Sequence, residues 1–521
     1  MFVDFSQRLD KGLRPIYYQG MPFSFGKGQE IYKSFRSCRM NIVSLGFICF
    51  VLAVVGLYYS LPARFRPQWL LLTSLGFYLY ADFRYILYLA FSVVSTWAAA
   101  LALSRRKNRA SALVALTVVL NLAVLAAAKY LPLGFSLLEQ LLNISLPEPG
   151  LLVPLGISFY TLQAISYLVD VYRGQTAAQK SLWRFGLYMC FFPIILQGPI
   201  SRYDQLAPQL YEPHELRYDR LCFGAQLALW GFFKKLVIAD RAALLVNQVF
   251  NIPDDYAGAQ ILAAILLYTI QLYTDFSGCV DISRGVAAML GIDLAENFRH
   301  PLFATSIRDY WRRWHISLSS WFRDYVYIPL GGSRRGTVRK YVNTLVVFTL
   351  SGIWHGAGGT FLVWGLLQGV YLVAGFLSLG PRQRLLNRLG VSEDSRILRL
   401  LRQLGCYLLT SFALLIFRSA SLGQAAHMLF NMVRDFSCSQ FVDGSLLVIG
   451  LDGADMLVLF LALLVLLAVS LLQERRSVRE LIAAQPLPLR WSVYLLGLFA
   501  VLIFGIYGPG YSSAQFLYMD F

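Results

Sequence analysis

His355 and His315 are the two side chains in this sequence best suited to proton transfer. His355 lies in "TLSGIWHGAGGTFLVWG", an imidazole inside apolar sequence, flanked by Gly352, Gly356, Gly358 and Gly359. An ionisable group within a hydrophobic span is costly to keep and marks a functional position. The glycines let the backbone break there, or let a substrate approach closely. His315 follows Arg312, Arg313 and Trp314 in "YWRRWHISLSSWFRDYVYIPLGG", a polar and aromatic stretch among apolar ones. For both, the structural alternative is a hydrogen-bonded packing histidine. His214 in "YEPHEL", His427 in "GQAAHMLF" and His300 beside Pro301 read as surface or packing residues.

Asp275 and Asp281, in "QLYTDFSGCVDISRG", are placed to orient a histidine or to pair with an arginine. Gln163 and Gln197 are polar within apolar runs, where interhelical hydrogen bonding is the expected role. A metal site would want more His, Cys or carboxylate ligands close together. The seven cysteines show no CxxC spacing and read as small apolar packers, and neither a serine elbow nor a phosphate-cradling glycine loop is present. General-base catalysis needs one well-placed imidazole, whose pKa lies near operating pH. The residues permit acyl transfer from an activated donor or proton-coupled transport, and by themselves do not separate the two.

The elements that must hold these groups are helices in lipid. Of 521 residues 57% are hydrophobic and only 14% charged, where a soluble chain would carry about a quarter. Apolar runs of roughly 17 to 25 residues recur from about residue 42 onward, each able to cross a hydrocarbon core of about 30 Å. They are continuous and do not alternate, which excludes a β-barrel. The expected fold class is an all-α polytopic membrane protein with about 11 to 13 transmembrane helices. Spans are expected at roughly 42–60, 67–81, 85–103, 112–129, 151–171, 183–199, 221–239, 258–276, 342–357, 359–378, 403–418, 455–473 and 491–507. Between about 300 and 335 the chain is too polar for lipid and too aromatic for a free loop. Trp311, Trp314, Leu318 and Trp321 fall on or near one helical face there, which predicts a re-entrant or interfacial helix packed among spans.

The net charge of +17 does not require a nucleic acid. The basic residues cluster in short loops such as "SRRKNR" (104–109), as the positive-inside bias requires of cytoplasmic loops. Counting back three spans from that loop puts the N-terminal segment outside, against its seven Lys and Arg and three acids before Met40. Residues 1–40 are therefore expected to be a basic extension, either an interfacial basic element or a segment upstream of a native start at Met40, with 41–521 one transmembrane domain.

"RDYWRRWHISLSSWFRDYVYIPLGG" followed by "SGIWHGAGGTFLVWG" resembles the membrane-bound O-acyltransferase superfamily, in the bacterial branch typified by the membrane subunit of alginate O-acetylation. "PLGISFYTLQAISYLVDVYRG", "QGPISRYDQLAPQL", "GFFKKLVIADR", "YTDFSGCVDISRG", "FRSASLGQAAHMLF" and "FLYMDF" resemble that branch too, in its order. The resemblance implies a ring of tilted helices with re-entrant or interfacial helices around a central tunnel, and a catalytic region at about 292–360. It makes His355 the catalytic histidine and His315 the second histidine of the branch. The expected substrate or tunnel lining is Trp311, Arg312, Arg313, Trp314, Trp354, Asp275, Asp281, Gln163 and Gln197. Arg312, Arg313 and Arg323 would anchor the segment at the membrane surface or attract an anionic donor.

The resemblance further implies a multi-pass protein of the bacterial cytoplasmic membrane with no permanently bound cofactor and no metal. Its acyl donor would be acetyl-CoA or an acyl carrier thioester, reached from the cytoplasm. Its partners would be that CoA or carrier protein, an extracytoplasmic SGNH-like acetyltransferase and a polysaccharide acceptor, in a lipid bilayer. D-alanyl transfer toward teichoic acid stands as the alternative, and a proton-coupled transporter as a remoter one.

Overall fold

Long apolar segments in lipid satisfy their backbone polar groups internally, and the helix does this within one segment. The computed structural model describes residues 42–105, 110–143, 153–195 and 197–507, and these are helical throughout their regular structure, with no β-strand among them. Residues 1–40, most of the "SRRKNR" loop and the terminal "FLYMDF" lie outside the described residues.

Among the described residues eight helices have the length and apolar composition to cross a membrane: Tyr85–Arg105, Ala110–Phe135, Tyr218–Asn251, Ala259–Met289, Gly359–Leu377, Arg396–Arg418, Gly453–Gln473 and Leu487–Phe504. The other apolar runs that predicted spans fold differently, each for a local reason. Leu45–Ser60, Arg66–Ala81 and Ile157–Tyr172 have 16 residues each, about 24 Å of helix against a core of about 30 Å. The 183–199 run breaks into Leu182–Cys190 and Phe192–Ile195, around Pro193 and ahead of Gly198–Pro199. Thr337–His355 opens with Arg339, Lys340 and Asn343 in its first two turns.

Two backbone contacts organise the centre. Tyr218–Phe232 runs antiparallel to Ala259–Met289, close enough that a Cβ on Gly231 would lie 2.5 Å from the Gly278 carbonyl oxygen. Thr337–His355 folds back on Gly359–Leu377 in the same way, with no room for a Cβ on Gly352 beside the Phe361 carbonyl. Helices in lipid gain association energy from close packing, and small residues permit it. Directly after Gly231, Phe233–Ala239 widens to π-helical turns, a local insertion that re-aims side chains and often accompanies function.

The expected single helix over the polar aromatic segment is two short ones, Ile307–Arg313 and Ile316–Phe322. The break falls at His315, whose φ of +44° and ψ of 53° are left-handed. Trp311, Trp314, Leu318 and Trp321 are nonetheless all buried, so the apolar pattern reports burial across a break that periodicity does not show.

Candidate active site

A left-handed conformation costs a non-glycine residue about 1–3 kcal/mol and persists only where its surroundings fix it. Around His315 those surroundings come from residues 297–299. The Arg299 amide donates to the Arg313 carbonyl at 2.8 Å and the Ile316 amide to the Asn297 carbonyl at 3.0 Å. The Ser317 amide and hydroxyl both donate to Asn297 Oδ1, at 3.0 and 2.9 Å. The same oxygen lies 3.3 Å from His315 Nδ1. A backbone N–H only donates, so the Asn297 atom facing Ser317 is the oxygen, and the imidazole nitrogen facing that oxygen carries the hydrogen. His315 is thereby held with Nδ1 protonated and the lone pair on Nε2.

His355 is the last residue of Thr337–His355, followed by Gly356 in extended conformation. The orphan carbonyls at this helix end have donors from Ala110–Leu142: Lys129 Nζ donates to the Trp354 carbonyl at 3.0 Å, and the Tyr130 hydroxyl donates to the Ile353 carbonyl. A cation at a helix C-terminus also complements the macrodipole. The imidazole packs against Trp364 and Phe417, ring centroids at 5.2 and 5.5 Å.

The two histidines share one neighbour. The Trp354 indole lies 6.3 Å from the His315 ring and 4.9 Å from the His355 ring, and Phe159 contacts both Trp354 and His315. His315 and His355 are 1% and 5% exposed, so their protonation chemistry takes place inside the protein. Trp364, also buried, has an indole N–H with no hydrogen-bond partner among the described residues.

Of the other sequence-derived candidates, Trp311 and Trp314 belong to this neighbourhood. Trp311 donates to Gln368 Oε1 at 3.1 Å and packs on Trp364, while Trp314 packs on Phe298 and Tyr310. Arg312 is exposed, Arg313 pairs with Asp309 at 3.0 Å, and Arg323 pairs with Asp324 at 2.7 Å. Asp275 pairs with a lysine, while Asp281 pairs with a lysine and, more distantly, with an arginine as the sequence allows; neither has a histidine partner among the ion pairs of the described residues. Lys235 holds both Asp240 and Asp275 at 2.7 Å, and Lys234 holds Asp281 at 2.8 Å, with Arg284 more distant at 3.6 Å. The π-helical turns present these two adjacent lysines to Ala259–Met289. Gln163 and Gln197 are buried, but among the described residues no interhelical side-chain bond appears for them. The Gln163 amide nitrogen and both polar atoms of the Gln197 side chain lack partners among the described residues.

Sequence reasoning passed over Asn297, Lys129, Trp364 and the Lys234–Lys235 pair. Lys129 and the lysine pair carry a signal, since each is a charge inside an apolar run. Nothing local marks Asn297 or Trp364.

His355, at a glycine-rich helix end, and His315 both pack on the Trp354 indole among apolar helices, an arrangement compatible with acid–base chemistry. The family model of the membrane-bound O-acyltransferase family matches residues 175–416. A probable alginate O-acetylase of Azotobacter vinelandii, AlgI, is 37% identical over 72% of this chain and 74% of its own. A peptidoglycan O-acetyltransferase of Helicobacter pylori is 33% identical over 60% of this chain and 65% of its own. A teichoic acid D-alanyltransferase of Bacillus subtilis is 31% identical over 43% and 60%. The chain belongs to the membrane-bound O-acyltransferase family and is a multi-pass membrane acyltransferase.

Proposed function

We propose that this enzyme takes an acetyl group from a thioester donor, acetyl-CoA or an acyl carrier thioester, on the cytoplasmic side of a bacterial cytoplasmic membrane. It passes the group across the bilayer for O-acetylation of an exported or cell-surface polysaccharide, through an extracytoplasmic SGNH-like acetyltransferase partner. The helices form a ring about a tunnel in which donor and acceptor meet. The observation that carries this reading is the placement of His315 and His355 around one indole, in a chain related to two kinds of O-acetyltransferase.

In the chemical step the acceptor hydroxyl attacks the thioester carbonyl. A C–O bond forms, the C–S bond breaks, and His355 takes the hydroxyl proton and returns it to the departing thiolate. His315, with its hydrogen committed to Asn297, offers a lone pair at Nε2. In the neutral state it positions a substrate by accepting a hydrogen bond and does not donate to the developing oxyanion. That donor is the Trp364 indole N–H, beside His355 and otherwise without a partner among the described residues.

The D-alanyl alternative draws on relatives matched over 43% of this chain, and no feature of the site favours it over acetyl transfer. Acyl transfer from labelled acetyl-CoA by the purified protein tests the reading, with His355→Ala as the comparison. A loss of about 10²-fold or more is expected of a general base. Undiminished transfer by a folded His355→Ala protein, together with undiminished polymer acetylation in cells, would refute it.

A further inference from the structure

A cavity of about 570 Å³ is lined in part by Lys234 and by Tyr273, Ser277, Asp281 and Arg284 of Ala259–Met289, and the acyl-transfer chemistry makes no use of it. One part of its wall comes from residues 226–300. The other comes from Gly453–Gln473, Val478–Ala483 and Leu487–Phe504, beyond the stretch matched by the family model. The cavity is two-natured. Trp230, Phe233, Val465, Val469 and Leu496 make an apolar interior, and Lys234, Arg284 and Arg479 bring positive charge to it.

That charge is only partly answered. Lys234 is satisfied by Asp281 and Ser277, each at 2.8 Å. Arg284 reaches the same carboxylate at 3.6 Å and otherwise donates to the Leu294 carbonyl at 3.4 Å. Arg479 lies 3.5 Å over the Phe223 ring, and its Nη1 is buried with no hydrogen-bond partner among the described residues. Burial, and next the facing Arg284 guanidinium, push Arg479 below its ordinary pKa. Glu296, the remaining acid on the wall, is bound to Arg299 at 2.7 Å. Arg284 therefore shares one carboxylate with a lysine that already holds it, and Arg479 Nη1 has no acceptor among the described residues. Guanidinium forks match phosphate oxygens in pairs.

We propose that this cavity binds a phosphate-bearing ligand with an extended arm, with Arg284 and Arg479 on the phosphate oxygens and the arm leaving along the cavity wall. Two sources present that chemistry. An anionic phospholipid reaches the cavity past Gly453–Gln473 and Leu487–Phe504, whose outer faces are largely exposed apolar residues. A phosphorylated thioester donor would instead send its arm toward His315. Tyr273 and Phe298 on the cavity wall pack against Trp314 and Phe276, and the Phe276 ring lies 4.8 Å from the His315 ring.

The test uses the full chain in neutral detergent, as wild type, the Arg284→Gln/Arg479→Gln double variant and the Arg284→Lys/Arg479→Lys double variant. Retention of phosphatidylglycerol, with diacylglycerol as the phosphate-free control, is read by native mass spectrometry. Binding of labelled coenzyme A is read by equilibrium dialysis. Loss of the paired guanidiniums is expected to weaken one of the two by about tenfold or more, with partial recovery in the lysine variant. A change confined to phosphatidylglycerol assigns the cavity to lipid, and a change confined to coenzyme A assigns it to the donor. Inorganic pyrophosphate should compete with either on the wild type, which keeps the test open if the glutamine variant does not fold. Binding of both probes undiminished in a folded glutamine variant, or of neither probe to wild type, overturns the proposal. The cavity does not depend on the acyl-transfer reading: His355→Ala should retain the bound phosphate compound whether or not acyl transfer occurs.

Discussion

Replacing Asn297 tests whether the tautomer of His315 matters, and two substitutions at this position make opposite demands. Asn297→Ala removes the one acceptor shared by the Ser317 amide, the Ser317 hydroxyl and His315 Nδ1–H. Each buried donor left without a partner costs roughly 1–3 kcal/mol, so the left-handed turn at His315 loosens as well. The bias toward Nδ1–H is a single neutral hydrogen bond of about 1 kcal/mol, or roughly fivefold in population. Added misorientation of the ring brings the expected fall in kcat to between about 5-fold and 10²-fold, with KM changed less. Asn297→Asp keeps all three donors satisfied but sets a carboxylate against the imidazole, favouring its protonated form. A protonated His315 has no lone pair, so the acid limb of the rate profile should move to higher pH while the alkaline plateau is retained. Transfer of labelled acetyl from acetyl-CoA between pH 5.5 and 9 gives both results. If folded Asn297→Ala keeps kcat within about twofold, or if the Asn297→Asp profile lies on that of wild type, His315 does not act through a fixed Nε2 lone pair.

Trp364→Phe keeps the ring against His355 and Phe417 but deletes the N–H. A drop in kcat of about 10²-fold with little change in KM is expected if that group faces the oxyanion, and an unchanged kcat removes it from the mechanism. Lys235→Met leaves Asp240 and Asp275 facing each other in the bundle without their shared cation, which should cost about 3–5 kcal/mol of stability. Thermal unfolding in detergent checks this. Lys235→Met/Asp240→Asn/Asp275→Asn should recover much of the loss, and a single variant as stable as wild type would show that the network is not stabilising in the sense argued.

The sequence alone carried the solvent of this protein. Continuous apolar runs, few charges and basic clusters in short loops leave an α-helical membrane protein as the one consistent reading, because unpaired backbone groups in lipid admit nothing else of that pattern. It also marked His355, since an imidazole among glycines inside an apolar run is expensive without a use. The count of spans was less legible. Hydropathy registers burial in protein and burial in lipid alike, so it does not show that the Ile157–Tyr172 helix has only 16 residues or that the 182–195 segment is broken.

The sequence settled which groups had no reason to be in lipid unless they served a purpose: two histidines, two aspartates, two glutamines and the tryptophans of the polar aromatic segment. Only the tertiary structure decided their partners. Asp275 and Asp281 went to lysines presented by π-helical turns 35 to 50 residues upstream, and His315 went to an asparagine that no local pattern distinguishes. The physical reason is that a side chain's fitness for a span is written in its own chemistry and that of its neighbours in sequence. Its tautomer, its counter-charge and its place beside a second imidazole depend on short-range contacts between segments that meet only when the bundle packs.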